Sequence, residues 1–392
     1  MTRPDPTSRV HRIMQEYARM TGLDPPLPSP RRYLWTDAFA VCNYLELYHR
    51  THDAVYRDLA LRLVDQVHHV LGRHRDDDPR NGWISGLHEQ QGELHPTIGG
   101  LRIGKKLNER MSGEPFDDRL EWDQDGQYYH YLTKWMHALN RVSRVTRDPV
   151  YVRWAVELAK TAHARFTYVP AAGGPKRMVW KMSIDLSYPL VPSMGLHDPL
   201  DGLVTYCELQ MAVDSIPEPP VSLPALCDEI VDMRDIGQGR NWLTDDPLGI
   251  GGLLFDASRI AQLMVQGGFD HPDLMEGVVE SAIRGMRTVG GSRLLQLPAG
   301  YRLAFRELGL SIGVKGLEGL SGMIEGNPAV FGSEGSLHRM VAELREYLPL
   351  AEEIERFWLD VENRRAGTWT EHQEINMVML ATSLAPDGFL MI

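Results

Sequence analysis

The chain has 392 residues, 43% hydrophobic and 24% charged, which is ordinary globular material with room for two average domains or one large closed architecture. Its formal net charge of -12 disfavours nucleic acid or an anionic membrane as the main partner, because both repel an acidic surface. Cys42, Cys207 and Cys227 lie far apart without CxxC spacing, and the polar residues 1–7 have no apolar segment behind them. Neither disulfides, structural zinc nor an export signal is implied, no apolar run of membrane-spanning length is evident, and a soluble cytoplasmic protein is expected.

Residues 8–20 carry an amphipathic pattern through Val10, Ile13, Met14 and Tyr17, and the proline-rich run 24–30 ends it. Helical spacing of apolar residues returns over 35–48 and again over 53–71, with Asp53 placed to cap the second helix. The same construction recurs at 128–145 and 148–166, where Asp148 caps and Pro149 takes the first helical position.

The joints of these two hairpins match: Thr51-His52-Asp53-Ala54-Val55-Tyr56 against Thr146-Arg147-Asp148-Pro149-Val150-Tyr151. That is an internal repeat of a helical hairpin. Weaker copies follow at 201–213 with 222–233, 248–265 with 272–288, and 310–324 with 336–348, the last extended to 361. A single helix at 371–384 closes the series, and the unpaired N-terminal helix can serve as its partner. Six hairpins read as an all-α (α/α)6 toroid, one catalytic-type domain over 1–392.

Two insertions interrupt the repeat, each between an outer helix and the next inner one, hence on one rim. Residues 72–120 form a long loop rich in Gly, Asp, Pro and Arg, of the kind that covers a site. Within 167–196, the alternation of 176–185 after Gly173-Gly174 predicts a small β-hairpin. The basic cluster Arg102-Ile103-Gly104-Lys105-Lys106 reads as a solvated face.

Chemistry gathers at the starts of the inner helices: Trp35 with Asp37; Trp122, Asp123 and Asp125; His197, Asp198 and Asp201; Trp242; Arg306 and Glu307; Trp369, Glu371 and His372. Acids at helix N-termini are ordinary caps and complement the helix dipole. Indoles gain nothing there, whereas they stack on the apolar faces of sugar rings. Within 121–137, Tyr128, Leu132 and Trp135 fall on a packing stripe, leaving Trp122 to Asp125 with Tyr129 and His130 for function.

With starts such as Tyr33-Leu34-Trp35-Thr36-Asp37 and Trp122-Asp123-Gln124-Asp125-Gly126, this repeat resembles the six-hairpin glycosidase superfamily. That resemblance implies a carbohydrate-active enzyme, first a glycoside hydrolase using two carboxyl groups, one protonated to donate and one ionised. Asp125 or Asp123 is then the expected acid and Asp198 or Asp201 the expected base, followed by Asp37 and Glu371. Trp35, Trp122, Tyr129, His130, His197, Trp242, Trp369 and His372 are the expected sugar contacts. The superfamily's sugar 2-epimerases imply an alternative in which His197, His372 and His130 move a proton beside a carbonyl. Asp123-Gln124-Asp125 is also similar to the acidic motifs of terpene cyclases, and a toroid that binds glycan or protein without turnover is the non-enzyme reading. No metal, cofactor, nucleic acid or membrane partner is expected, and the oligomeric state stays open. Gly249-Ile250-Gly251-Gly252 lacks the context of a phosphate loop, and Glu371-His372-Gln373-Glu374 lacks the second histidine of a zincin.

Overall fold

A computed structural model of the protein describes residues 5–216 and 223–392. In chain order the helices begin with α1 (Pro6–Thr21), α2 (Leu34–Thr51) and α3 (Ala54–Leu71), followed by the short α4 (Glu89–Leu94) and α5 (Asp118–Asp123). Strand β1 (Gln127–Tyr128) leads into α6 (Tyr129–Thr146) and α7 (Pro149–Phe166). Strands β2 (Thr167–Tyr168), β3 (Arg177–Met178), β4 (Lys181–Met182) and β5 (Pro189–Val191) precede α8 (Asp198–Asp214) and α9 (Cys227–Gly237). Then come α10 (Pro247–Val265), α11 (Pro272–Gly291), α12 (Ala304–Gly326), α13 (Pro328–Phe331), α14 (Ser336–Arg345), α15 (Leu348–Leu359), α16 (Gly367–Thr370), α17 (Gln373–Leu384) and α18 (Asp387–Leu390). The predicted helix start at Ser222 and the first residues of the polar N-terminus lie outside the described residues.

The repeated joint is reproduced in the backbone. His52 and Arg147 both adopt the left-handed conformation, φ 57° and 59°, and donate their backbone N–H to Tyr48 and Ser143. Asp53 and Asp148 then accept from the N–H of Val55 and Val150. One helix is stopped and the next started within two residues, which is what two matching sequence joints require.

Burial alternates along the chain. Helices α2, α6, α8, α10, α12 and α17 are buried on most faces, whereas α3, α7, α9, α11, α14 and α15 bury only a stripe. Enclosed helices followed by one-sided ones are the (α/α)6 order.

The chain divides into two compact units, one of Ala18–Tyr48 and His52–Gln238, the other of Met1–Tyr17, His49–Thr51 and Gly239–Ile392. In the first unit α6 packs on α7 and α8, and α8 on α9. In the second, α10 packs on α11 and α12, and α12 on α14, α15 and α17. Ile13 and Glu16 of α1 line a cavity of about 200 Å3 with Met377 and Leu380 of α17, so the N-terminal helix neighbours the last inner helix.

Glycine sets the closest approach in the second unit. A Cβ on Gly251 would lie 2.1 Å from the carbonyl oxygen of Gly309, so α10 and α12 cross with backbones in contact. This accounts for Gly251 without a phosphate. Contrary to the sequence expectation, α10 is long and apolar enough to cross a membrane, with a mean hydropathy of 1.3, but 78% of that window is buried inside the protein.

The 167–196 insertion holds two small sheets rather than one hairpin. Strands β2 and β3 pair across the Gly173–Gly174 turn, while β4 pairs with both β1 and β5. The run 177–182 is split because Val179 donates to Phe166 O and Trp180 to Ser193 O, sending its two ends to different partners.

Candidate active site

The site is built on the first unit, where β1 turns into α6. Gly126 (φ 147°) brings the chain against β4, and a Cβ there would lie 2.7 Å from Met182 O. The ladder sets Tyr128 opposite Lys181, and Tyr129 N donates to Trp180 O at 3.0 Å. The Gln127 amide ties the neighbouring loops together, accepting from Leu101 N at 2.9 Å and donating to Gly99 O and Ile184 O at 3.0 and 2.7 Å. An insertion loop, a short sheet and a helix N-terminus are thus fixed to one another.

On this frame a cluster of rings surrounds His130. Its imidazole stacks with Tyr128 (centroids 5.6 Å) and Trp180 (6.3 Å), and meets Trp35 (6.2 Å) and Tyr131 (5.0 Å) edge-on. Trp122 extends the cluster outward, 6.0 Å from Trp180 and 58% exposed. Tyr33 extends it in another direction, its hydroxyl 2.8 Å from that of Tyr131. Trp180 is held by its own indole N–H, which donates to Ser193 Oγ at 3.0 Å.

Asp198, the first residue of α8, reaches the same histidine. Its Oδ1 lies 3.5 Å from His130 Nδ1, with the histidine side chain 34% and the aspartate side chain 6% exposed. Gly195 leaves room for that carboxylate, since a Cβ there would fall 2.4 Å from Asp198 Oδ2.

Three polar atoms here are buried without a hydrogen-bond partner among the described residues: Trp35 Nε1, Tyr128 OH and Asp198 Oδ2. All three belong to side chains that touch His130. Buried polar groups are nearly always satisfied by protein, water or ligand, so such a grouping makes this a candidate place for a polar ligand. Burial pushes the Tyr128 phenol well above its ordinary value, so it stays protonated and able to donate.

Three of the other predicted acids, Asp125, Asp201 and Asp37, have structural partners. Asp125, the first choice for the proton donor, is wholly buried and accepts from Arg102 Nη1 (2.6 Å), Arg75 Nη1 (3.3 Å), Gly104 N (3.0 Å) and Gly126 N (3.1 Å). Both oxygens of this carboxylate are engaged by two guanidiniums and two amides, so neither is left for a substrate. Asp201 accepts from Thr133 Oγ1 (2.5 Å) and Lys134 Nζ (2.7 Å), and Asp37 from Arg32 Nη1 (3.3 Å) and Tyr33 N (2.9 Å). Asp123 is exposed at the end of α5.

Among the aromatic and histidine candidates, Tyr129 is a core residue, fully buried with its hydroxyl donating to Tyr206 at 2.9 Å. The periodicity argument put it on the functional edge; the β1–β4 pairing instead turns it inward. His197 caps α8 and is half-buried. Trp242, Trp369, Glu371 and His372 belong to the second unit. Trp242 and Trp369 are buried there, Trp369 stacked 5.6 Å from Trp358 under the Arg364 guanidinium. Glu371 is exposed, and exposed His372 meets Phe305 edge-on. Also in that unit, Glu307 is buried in a two-point ion pair with Arg302 and accepts from Trp358 Nε1 at 2.8 Å.

Sequence reasoning did not assign Trp180, Tyr131 or Tyr33 to the site. The available signal was a lone tryptophan in the middle of the insertion, where an exposed strand gains little from one.

No protein-family model matches the chain. The comparison with curated proteins returns no match. Among solved structures the chain is similar to a cellobiose 2-epimerase from Spirochaeta thermophila, with 14% identity, coverage of 96% of this chain and 97% of that one, and a TM-score of 0.48. It is similar to a GH76 α-mannanase from Bacteroides thetaiotaomicron, at 9% identity, 91% and 100% coverage, and a TM-score of 0.48. A sugar epimerase from a ruminal bacterium is similar at 11% identity, 96% and 98% coverage, and a TM-score of 0.49.

Proposed function

We propose that the protein is a carbohydrate-active enzyme that moves a proton at the carbon beside a sugar carbonyl, an epimerase or isomerase of free sugars. The observation that carries this reading is the set of three unsatisfied buried polar atoms on the side chains touching His130. Sugar rings present apolar faces to aromatic side chains and hydroxyls at their edges. Trp35 N–H and Tyr128 O–H donate to such hydroxyls, and Asp198 Oδ2 accepts from one.

His130 is the acid–base group. With Nδ1–H turned to Asp198, its other nitrogen is the base. The C2–H bond of the open-chain sugar breaks, the proton passes to His130, and the electron pair moves into the carbonyl as an enediolate. When the enediolate turns about its C2–C3 bond and presents its other face to His130, return of the proton to C2 gives the epimer; delivery to C1, with the O2 proton passing to O1, gives the ketose. Asp198 steadies the imidazolium between these steps.

Hydrolysis is the second reading, since Asp198 is a carboxylate with an unengaged oxygen. It requires a second carboxyl at about 5 to 9.5 Å across the scissile bond. Asp125, Asp201 and Asp37 are each taken up by cations or amides, so proton transfer by His130 is preferred.

The deciding experiment incubates the protein with free aldoses and ketoses in D2O, and in parallel with reducing-end-labelled oligosaccharides. Deuterium at C2 without cleavage is the expected result. Cleavage without exchange assigns the site to hydrolysis, and neither outcome leaves a sugar-binding protein without turnover.

A further inference from the structure

Beyond Tyr33, the cluster ends in a cation. Lys105 Nζ lies 5.5 Å from the centre of the Tyr33 ring, and Tyr33 leads through Tyr131 to His130. The backbone under this lysine is fixed. Arg75 donates to Lys105 O at 2.6 Å and Lys106 O at 2.8 Å, and Gly104 (φ 92°) presses on Arg32 O, where a Cβ would sit 2.2 Å away.

Lys105 feels the charges of Asp123 and Asp125 only from beyond ion-pair distance. It forms no ion pair among the described residues. Asp125 faces Arg75 and Arg102, and Asp123 is exposed. The other nearby ammonium, Lys181, already has Glu121 at 2.7 Å. The Tyr33 phenol supplies no counter-charge either, because burial pushes it up to about 12. A half-buried ammonium without an anion is costly unless one arrives with a ligand. What reads in sequence as part of a solvated basic face is a half-buried cation without an ion pair, at the edge of the ring cluster.

We infer that the sugar handled here carries an anionic substituent, a carboxylate or a phosphate, which pairs with Lys105. The inference rests on the sugar reading above. A neutral sugar leaves this charge unused, whereas an anionic one gains a charge-assisted contact and is drawn to a local positive centre on an acidic protein.

The test is calorimetric titration of the full chain with glucuronate, glucose 6-phosphate and glucose, repeated with Lys105→Met and His130→Ala. At least one anionic sugar is expected to bind about tenfold or more tightly than glucose. Lys105→Met should erase that difference while leaving glucose binding and the melting temperature unchanged. Which anionic sugar gains distinguishes carboxylate from phosphate. The inference is overturned if glucose binds as well as both, if Lys105→Met keeps the preference, or if neither anionic sugar binds. A preference that survives in His130→Ala without deuterium uptake in the wild type sinks the proton-transfer reading but not this one; equal exchange on neutral and anionic sugars does the reverse.

Discussion

His130 and Asp198 meet across 3.5 Å, brought from the start of α6 and the start of α8, and the second oxygen of Asp198 is buried without a partner. One carboxylate oxygen faces the imidazole while the other has no partner among the described residues, and on this pairing the proposed site rests.

In the proposed proton transfer Asp198 acts through His130, so Asp198→Asn should lower kcat for C2 exchange by about tenfold or more while KM and melting temperature change little. His130→Ala should remove exchange altogether. Equal loss of kcat and folding stability in Asp198→Asn would mean that the aspartate is only a cap of α8.

Asp125→Asn is expected to cost stability. It strips the anion from two arginines whose side chains are 14% and 7% exposed, and breaking a buried pair costs about 3 to 5 kcal/mol. Urea denaturation measures this directly. A variant that unfolds like the wild type yet loses all exchange would restore Asp125 as a proton donor.

His69 ties α3 to the long insertion. Hydrogen bonding to Asp65, and then to Glu93 of α4, raises it from 6.5 to about 9 against the opposing effect of burial. A folded-state value above the unfolded one contributes stability that is complete below pH 6.5 and lost as pH rises through about 9. Neighbouring His68 behaves oppositely. Burial lowers it to about 3, so its contribution is lost as pH falls below 6.5. Hydrogen-exchange protection of residues 89–94, taken relative to the intrinsic exchange rate at each pH, should be greatest near pH 6.5 and fall on the alkaline side, and His69→Gln should abolish the alkaline fall. A flat alkaline limb in the wild type would show that this clasp does not hold the insertion.

Gly251→Ala should destabilise by about 1 to 3 kcal/mol, because the new methyl meets backbone rather than a movable side chain. Gly252→Ala, with nothing within 4 Å, should be neutral or stabilising by up to about 1 kcal/mol. Thermal or urea unfolding of the pair separates close helix crossing from helix propensity; equal shifts would count against the crossing.

The sequence alone determined the helices, the joints and the repeat, because these depend on neighbours within one turn. Left-handed His52 and Arg147 followed by capping Asp53 and Asp148 are local devices, and the matching hexapeptides announced them. It also placed the expected site at the inner-helix starts, and Trp35, Trp122, His130 and Asp198, named there, come together in the ring cluster. Tertiary structure alone decided what each acid does. Asp125, Asp198 and Asp201 look alike in sequence, yet Asp125 is claimed by Arg75 and Arg102 of the insertion and Asp201 by Thr133 and Lys134 of α6, while Asp198 keeps an oxygen free. A carboxylate's role is set by the donors around it, and those arrive from far along the chain. The same holds for Trp180 and Lys105: each joins the cluster through pairings set by distant residues, which no pattern of nearby residues encodes.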